Sequence, residues 1–259
     1  MNILDAIVEQ KRVEILKRKQ KHSLDSLGSF PAYKQPCNTI SVAGLDKKPG
    51  IIAEFKRKSP SRGFINPDAN PVRVAAAYEE AGVAAMSILT DRSFFGGSFL
   101  DLRQVRESHP GLVLLRKDFI LDPYQLHEAR AYGADMVLLI ASILDRRQVE
   151  ELTLEAVSLG LNILLEVHHQ EELEKYHAGI RYVGVNNRDL KSFKVDTGRS
   201  LELIGELPPG VIPVSESGLT GPGEIRKLWM AGFRLFLMGE VFMKEKNPGK
   251  ACRRLIESL

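Results

Sequence analysis

An acidic and a basic side chain, Glu54 and Lys56, close an apolar run that begins at residue 50. Residues two apart on a strand point to the same face, so these two side chains are predicted to lie side by side. A buried strand usually carries Val, Ile or Leu at such positions, and a buried charge needs a partner or a function. The pair therefore marks a candidate site at the carboxyl end of this strand.

Three more polar side chains follow apolar, strand-like segments. Lys117, Glu166 and Asn186 each continue the face that is otherwise apolar or glycine along their segment. If that face points inward, two lysines, two glutamates and an asparagine meet above one core. A single buried ion pair, such as Glu54 with Lys117, could be only scaffold. Five such residues on four strands favour a functional cluster, because each buried charge costs several kcal/mol unless it is paired.

Such a cluster is suited to acid–base chemistry on an anionic substrate. A neighbouring cation and burial both lower the pKa of a lysine, which would make Lys117 a general acid near neutral pH. A lysine at a strand end can also be a Schiff-base nucleophile, and the residues alone do not separate these two roles. Gly218 and Gly239 follow two later segments, where backbone N–H groups could approach a phosphate closely.

Strand-like and helix-like segments alternate after residue 50. Strands are predicted at 51–55, 85–90, 112–116, 136–140, 162–167, 182–185, 211–215 and 235–238. Helices are predicted at 71–81, 99–107, 123–132, 145–159, 170–177, 198–206, 221–231 and 248–258. The alternation predicts parallel βαβ units, and eight strands in 259 residues favour a (β/α)8 TIM barrel. Pro213 conflicts with this pattern, because it removes a hydrogen-bond donor from a central strand.

Residues 1–49 are predicted to form an N-terminal helical extension packed on a barrel of residues 50–259, the whole of 1–259 being one domain. Residues 3–21 have the pattern of an amphipathic helix lying on a larger body. Its apolar residues include Ile3, Ile7, Val13 and Leu16. Residues 22–49 show no clear period and are predicted to be an irregular linking segment.

Composition excludes several classes of protein. The net charge of +3 gives no general reason to expect nucleic acid or a membrane as partner, and no obligate protein partner is evident. No apolar run approaches the roughly 20 residues of a membrane span, and the N-terminus does not resemble a signal peptide. Cys37 and Cys252 are too few for a disulfide framework, so a cytoplasmic location is predicted. Glu166, His168 and His169 could bind a metal, but no other Cys or His stands at a strand end, so no metal is predicted.

In these residues the chain resembles the indole-3-glycerol phosphate synthase family, over nearly its whole length. The most specific segments are IAEFKRKSPS at 52–61, LRKDFI at 115–120, LEVH at 165–168, GVNNRDL at 184–190 and SESG at 215–218. The resemblance implies that 1-(2-carboxyphenylamino)-1-deoxy-D-ribulose 5-phosphate is closed to indole-3-glycerol phosphate, with loss of CO2 and water, in tryptophan biosynthesis. It implies a small phosphorylated substrate and no metal or organic cofactor.

The resemblance also implies roles, position by position. Lys117 matches the general acid that protonates the ketone oxygen during closure, and Glu166 matches a catalytic carboxylate in deprotonation and dehydration. Glu54 and Lys56 match the pair on the first strand, with Lys56 near substrate oxygens as a candidate acid for hydroxide loss. The residues implied to bind the substrate are Ser59, Asn186, Arg188, Ser217, Gly218, Gly239 and Glu240.

Two features of the resemblance leave questions open. Some family members have a serine that contacts the phosphate where this chain has Glu240; a glutamate side chain would repel phosphate, although its backbone N–H could still donate. The division of labour between Glu54 and Glu166 is also open. An apolar wall for the anthranilate ring could come from Phe94, Phe95, Phe119 and Leu190.

Two other functions compete with this one. One is another phosphate-binding barrel enzyme, either a Schiff-base aldolase using Lys117 or a sugar-phosphate isomerase. The other is a catalytically inactive barrel that binds a phosphorylated ligand or a protein partner. The intact set of lysines and glutamates argues against the inactive barrel.

Overall fold

Eight parallel strands close into a barrel in the computed structural model, which describes residues 3–189 and 194–259. The barrel strands are Gly50–Phe55, Ala85–Leu89, Leu114–Lys117, Met136–Ile140, Asn162–Val167, Tyr182–Asn186, Ile212–Glu216 and Leu235–Met238. Each strand pairs with its neighbours in the sequence, and the first pairs with the eighth. The predicted (β/α)8 TIM barrel is confirmed, with every predicted strand present.

The strands are apolar on both faces because both faces are covered. Ile52, Leu115 and Leu164 point into the barrel, where they form the inner core. Their neighbours Ile51 and Leu165 point outward and pack in the shell of helices. This alternation fixes which residues at the strand ends can reach the barrel axis.

The helices lie between the strands, as predicted. The α-helices are Ile3–Lys21, Leu24–Gly28, Pro71–Ala81, Phe99–Ser108, Tyr124–Ala131, Arg146–Ser158, Gly198–Leu203, Pro222–Ala231, Glu240–Met243 and Pro248–Glu257. The 3₁₀ helices are Pro31–Lys34, Ala141–Ile143, Gln170–Lys175 and Ile204–Glu206. The helix predicted at 170–177 is therefore a shorter 3₁₀ helix. No helix in the described part of the chain has the length and apolar character needed to cross a membrane.

Pro213 is tolerated inside the seventh strand because of where the pairing begins. The ladder to the eighth strand starts at Val214, which pairs with Leu235. The Pro213 carbonyl faces the same neighbour and accepts the N–H of Arg234, the residue before the eighth strand. Pro213, which has no N–H, therefore lies one residue before the ladder to the eighth strand, where no donor is required.

The N-terminal helix packs on the barrel as predicted, but its buried face includes only part of the predicted apolar set. Its buried residues are Leu4, Ile7, Lys11 and Ile15, which follow helical spacing. Val13 and Leu16, by contrast, are 43% and 63% exposed. The segment 22–49 is also more ordered than predicted, since it contains the helix Leu24–Gly28 and the 3₁₀ helix Pro31–Lys34.

Lys11 anchors this helix by a buried ion-pair network. Its Nζ lies 2.8 Å from Asp91 Oδ2 and 2.9 Å from Asp118 Oδ1, and the side chain is 1% exposed. Arg116 also pairs with Asp118, at 2.9 Å. Burial raises the pKa of Asp118, but Lys11 and Arg116 lower it by more, so that carboxyl remains ionised. An ion pair thus fixes the N-terminal extension to Asp118, the residue that follows Lys117.

We predict that Lys11→Met lowers the free energy of unfolding by about 3–5 kcal/mol, because it leaves buried carboxylates without one of their cations. Urea denaturation measures the change. Lys17→Met, an exposed change in the same helix, is the matched control and should have little effect. A Lys11→Met protein as stable as the control would contradict this assignment. A single unfolding transition in the parent would support the prediction that extension and barrel are one domain.

Candidate active site

One cavity at the carboxyl ends of the strands collects the predicted site residues. Its lining includes all eleven of them, namely Glu54, Lys56, Ser59, Lys117, Glu166, Asn186, Arg188, Ser217, Gly218, Gly239 and Glu240. It also includes Glu216, at the end of the seventh strand. The predicted residues therefore lie around one cavity, and the role of each residue remains a prediction.

The uppermost inward layer of the barrel is charged. Glu54, Lys117, Glu166 and Glu216 come from the first, third, fifth and seventh strands, and alternate strands contribute to one layer of a TIM barrel. Lys117 Nζ lies 2.8 Å from Glu166 Oε2 and 3.0 Å from Glu216 Oε2. Lys56 Nζ lies 2.5 Å from Glu54 Oε2. Each lysine thus has its own carboxylate partners. The possible scaffold ion pair between Glu54 and Lys117 does not form.

The charge state of Lys117 differs from the expectation. Burial lowers the pKa of this lysine, but the carboxylates of Glu166, Glu216 and Glu54 together raise it by more, so the pKa lies above its ordinary value. The predicted depression of the Lys117 pKa is therefore wrong, because the neighbours are acids and not lysines. In this arrangement Lys117 is an ammonium, whereas a Schiff-base nucleophile would require the neutral amine.

The two carboxylates beside Lys117 have opposite shifts. Burial raises the pKa of Glu166, but Lys117 and His168 lower it by more, to about 2. Burial also raises the pKa of Glu216, and although Lys117 opposes this, the neighbouring Glu166 charge adds to it, bringing the pKa to about 7. Lys117 thus favours the ionised form of Glu166, and Glu216 keeps its proton to a higher pH than an ordinary carboxyl does. Carboxyls with separated pKa values can divide acid and base roles.

Sequence reasoning missed Glu216, although a signal for it was present. Glu216 follows Val214 by two residues, and Val214 belongs to the inner core, so parity alone points the glutamate inward. Glu216 is 1% exposed, and its Oε1 has no hydrogen-bond partner among the described residues. That oxygen can receive a hydrogen bond from a bound substrate, or donate one when the carboxyl is protonated.

We predict that kcat/KM falls as pH rises through about 7, because ionised Glu216 adds a third carboxylate charge that repels an anionic substrate. The Glu216 carboxyl is neutral below this pKa and charged above it, so kcat/KM should decrease on the alkaline side. In Glu216→Gln this inflection should be absent. A kcat/KM profile measured across neutral pH for both proteins tests this, and an unchanged inflection in the variant would exclude Glu216 as its source.

Two glycines make room for the carboxylates of the layer. A Cβ on Gly184 would lie 2.1 Å from Glu216 Oε1, and a Cβ on Gly239 would lie 2.4 Å from Glu54 Oε2. Real atoms do not approach this closely, so any other residue would displace the carboxylate. Gly239 therefore has a role in placing Glu54, in addition to the phosphate contact that the resemblance implies.

We predict that Gly184→Ala lowers kcat by about 10- to 100-fold, because displacing the Glu216 carboxylate disturbs the geometry around Lys117. The matched control is Gly205→Ala, where an added Cβ meets no atom within 4 Å. Steady-state kinetics of both variants, with circular dichroism as a check on folding, measure the difference. Equal kcat in the two folded variants would contradict the placement of Glu216.

The loop after the seventh strand has an unusual backbone conformation, and hydrogen bonds from a buried side chain stabilise it. Ser217 and Gly218 have φ values of 64° and 75°, and the first is strained for a residue with a side chain. The Asn187 side chain donates hydrogen bonds of 3.1 Å to the carbonyls of Glu216 and Ser217. Asn187 is fully buried, so it fixes the Ser217–Gly218 turn at the rim of the cavity.

Other rim residues present polar atoms to the cavity. Ser59 is 7% exposed, and its Oγ has no hydrogen-bond partner among the described residues. Asn186 accepts the backbone N–H of Arg188 at 2.9 Å, so the two lie together after the sixth strand. Ser59 belongs to a short hairpin of strands Lys58–Ser59 and Gly63–Phe64 in the loop after the first strand.

Glu240 is paired with arginines from two other loops. Its carboxylate lies 3.2 Å from Arg62 Nε, in the loop after the first strand, and 3.9 Å from Arg188 Nη2, in the loop after the sixth. The arginines offset the negative charge that would repel a phosphate. Glu240 therefore connects three loops at the cavity rim.

One side of the cavity is apolar. Phe95 and Phe119 both line it, with ring centroids 6.0 Å apart. The other apolar lining residues include Leu89, Leu138, Ile140 and Leu237. Phe94 packs against the inner core and is not part of the lining, and Leu190 lies outside the described residues. The arrangement can hold a flat aromatic ring beside Lys117.

Histidine does not build a metal site in the described part of the chain. No group of three or more His, Cys, Asp or Glu side chains there is arranged to hold a metal ion. His168 instead lies behind Glu166, with its Nε2 3.6 Å from Glu166 Oε1. The chemistry that the residues themselves offer is proton donation and acceptance.

Comparison with known proteins gives one consistent result. The family model of indole-3-glycerol phosphate synthase matches residues 4–255. Indole-3-glycerol phosphate synthase of Bacteroides thetaiotaomicron is 42% identical over 258 residues, covering 100% of this chain and 99% of the relative. The enzyme of the same name from Salinibacter ruber is 43% identical, covering 98% of this chain and 95% of the relative.

Solved structures of low sequence identity share the fold. KGPDC from Streptococcus mutans superposes with a TM-score of 0.63 at 13% identity, covering 82% of this chain and 97% of that chain. Tryptophan synthase subunit alpha from Legionella pneumophila gives a TM-score of 0.59 at 12% identity, covering 83% of this chain and 93% of that chain. At this identity the likeness concerns the barrel alone.

Proposed function

Because the chain belongs to the indole-3-glycerol phosphate synthase family, we propose that its charged barrel layer carries out the proton transfers of that family's reaction. The enzyme is a carboxy-lyase of tryptophan biosynthesis. It closes 1-(2-carboxyphenylamino)-1-deoxy-D-ribulose 5-phosphate to indole-3-glycerol phosphate, and releases CO2 and water. The observation that carries the assignment of roles is the Lys117 ammonium held between Glu166 and Glu216.

The first step is ring closure with Lys117 as general acid. The ring carbon that bears the carboxylate forms a bond with the ketone carbon, while the ketone oxygen takes a proton from Lys117 Nζ. The bond to the carboxylate then breaks, CO2 leaves, and its electron pair restores the aromatic ring. Lys117 suits this step because its neighbours keep it protonated until negative charge develops on the ketone oxygen.

The second step is loss of water. The new hydroxyl leaves with a proton, and a carboxylate removes a proton from the adjacent carbon to complete the indole. We assign the acid to Lys56, which Glu54 holds at the rim. We assign the base to Glu166, whose carboxyl is ionised. One proton from solvent is taken up over the whole reaction, since two are donated and one is recovered.

The rest of the cavity orients the substrate. The apolar wall of Phe95 and Phe119 accommodates the anthranilate ring. Ser217, Gly218 and Gly239 provide backbone near the phosphate, at the loops where TIM barrels usually bind it. Arg188 contacts the substrate carboxylate or the lysine–glutamate network, and Ser59 and Asn186 provide polar contacts.

The proposal extends to the surroundings of the enzyme. We infer a cytoplasmic enzyme that needs neither nucleic acid nor an obligate protein partner. The support is a net charge of +3 and two cysteines that are both free thiols.

The test of function is direct. Purified protein mixed with the carboxyphenylamino substrate should produce indole fluorescence and one CO2 per indole. Borohydride added during turnover should leave no reduced adduct on Lys117. A trapped covalent adduct without indole would instead indicate the Schiff-base aldolase, which the ammonium state of Lys117 disfavours.

A further inference from the structure

A buried histidine lies directly behind the catalytic layer. His168 is 4% exposed, and neither ring nitrogen has a hydrogen-bond partner among the described residues. Its Nε2 faces Glu166 Oε1 at 3.6 Å, and its Nδ1 faces Glu172 Oε2 at 3.8 Å. The other oxygen of Glu166 is the one that contacts Lys117. Lys117, Glu166, His168 and Glu172 thus lie in a row of titratable groups, in which the two contacts of His168 are longer than hydrogen bonds.

The outer end of this row reaches a second opening. His168 and Glu172 line a cleft of about 600 Å³ between the N-terminal helix and the loops after the fourth to sixth strands. The Glu172 side chain is 12% exposed, and its Oε2 accepts the backbone N–H of His168 at 2.6 Å. Lys117 and Glu166 line the active-site cavity and His168 and Glu172 line the cleft, so the row runs from one to the other. It therefore offers solvent a path to Glu166 that a bound substrate does not cover.

The reaction consumes protons that such a path can supply. One proton must enter from solvent for each product formed, and after closure the neutral Lys117 must regain its own. The active-site cavity is occupied by substrate or product during these steps. Once Lys117 has lost its charge, the cation that keeps Glu166 ionised is gone, so Glu166 can accept a proton and pass it to Lys117.

We propose that His168 is a positioning and proton-transfer residue that connects the cleft beneath the N-terminal helix to Glu166 and Lys117. Starting from the neutral ring with its proton on Nε2, His168 accepts a proton at Nδ1 from the Glu172 side and gives its Nε2 proton to Glu166 Oε1, so that one proton enters and one leaves. The ring is left with its proton on Nδ1, and exchange with solvent at the cleft restores the Nε2–H form before the next turnover. Glu166 then passes a proton from Oε2 to Lys117. The distances from His168 to Glu166 and to Glu172 shorten by small rotations of the ring, as catalytic contacts do when substrate binds. This inference rests on the proposed function.

The charges around His168 suit this role. Burial lowers its pKa, but Glu172 and Glu166 raise it by more, so the pKa lies above its ordinary value. Arg199, in the helix after the sixth strand, opposes the protonated form. The N-terminal helix faces the same cleft with Asp5, Glu9 and Arg12. Glu166 on one side and Glu172 on the other thus keep a proton available at the ring.

Two variants test the relay by different means. His168→Ala leaves a space that imidazole can enter, and His168→Gln fills the space with a side chain that does not titrate. We expect both to lower kcat by about 100-fold with little change in KM. Added imidazole should restore turnover in His168→Ala, more strongly as pH falls toward the pKa of imidazole, and should not restore His168→Gln. The matched control, His109→Gln, removes a histidine 2.7 Å from Glu79, on the outside of the barrel, and should retain parent kinetics.

The outcomes separate this inference from the function on which it rests. Parent kcat in His168→Gln, or a folded His168→Ala that imidazole does not restore, overturns the relay while indole formation by the parent still supports the function. A parent protein that forms no indole overturns both. A purely structural role for His168 predicts a changed KM or lower stability without rescue, which also contradicts the relay.

Discussion

Replacing Lys117 by alanine is expected to lower kcat by about 10³-fold or more, while the variant still binds the substrate. The expectation follows from the position of Lys117 Nζ, which is the ammonium between Glu166 and Glu216 in the charged layer. Without it the ketone oxygen loses the ammonium donor of that layer as negative charge develops. The phosphate contacts proposed at Ser217, Gly218 and Gly239 are untouched, so binding should persist. Steady-state fluorescence gives kcat, and titration of the variant with substrate gives the dissociation constant.

A second variant separates the charge of Lys117 from its proton. Lys117→Arg retains a cation, but a guanidinium does not give up a proton in proteins. We therefore expect Lys117→Arg to bind substrate and remain as slow as Lys117→Ala. The matched control is Lys246→Ala, which changes an exposed lysine and should leave kcat unchanged. Substantial turnover by the arginine variant would mean that charge alone is sufficient.

Replacing Glu166 by glutamine is expected to lower the rate of indole formation by about 10²- to 10⁴-fold, because an amide cannot act as a base. The size of the side chain is retained, and its oxygen can still accept the hydrogen bond from Lys117. If Glu166 acts in dehydration, CO2 release should be less affected than indole formation, and a decarboxylated intermediate should accumulate.

Measuring CO2 and indole in the same reaction tests this division. Glu174→Gln, an exposed change in the 3₁₀ helix that follows the fifth strand, is the control. Parent rates of indole formation in Glu166→Gln would remove Glu166 from the mechanism and favour Glu54 as the base. Equal losses of CO2 and indole would instead place Glu166 in the closure step.

The barrel was predictable because its strands are short apolar runs bounded by helix-ending glycines and start signals, and these are local features. The inward direction of Lys117, Glu166 and Asn186 was predictable for the same reason, since parity follows from the residues two positions earlier. These are Leu115 and Leu164 of the inner core, and Gly184. Even the convergence of all the predicted residues on one cavity follows from the rule that parallel strands end at one face.

The neighbours of each charge were not predictable in this way. Which carboxylates surround Lys117 depends on contacts across the barrel between alternate strands, and these contacts determine that its pKa is raised and not lowered. The buried face of the N-terminal helix depends on Lys11, a charged residue that a hydrophobic pattern does not select. Glu216 was visible by parity, but its contact with Lys117 required the closed barrel.

The central claim is that Lys117 donates the proton in ring closure, before CO2 leaves. A single-turnover experiment with substrate labelled at the carboxyl carbon, and with Lys117→Ala in excess over substrate, tests it most directly. The account predicts that the parent releases the labelled CO2 in one turnover, whereas the variant binds the substrate and retains the label in it. Release of labelled CO2 by Lys117→Ala at the parent rate would contradict the account.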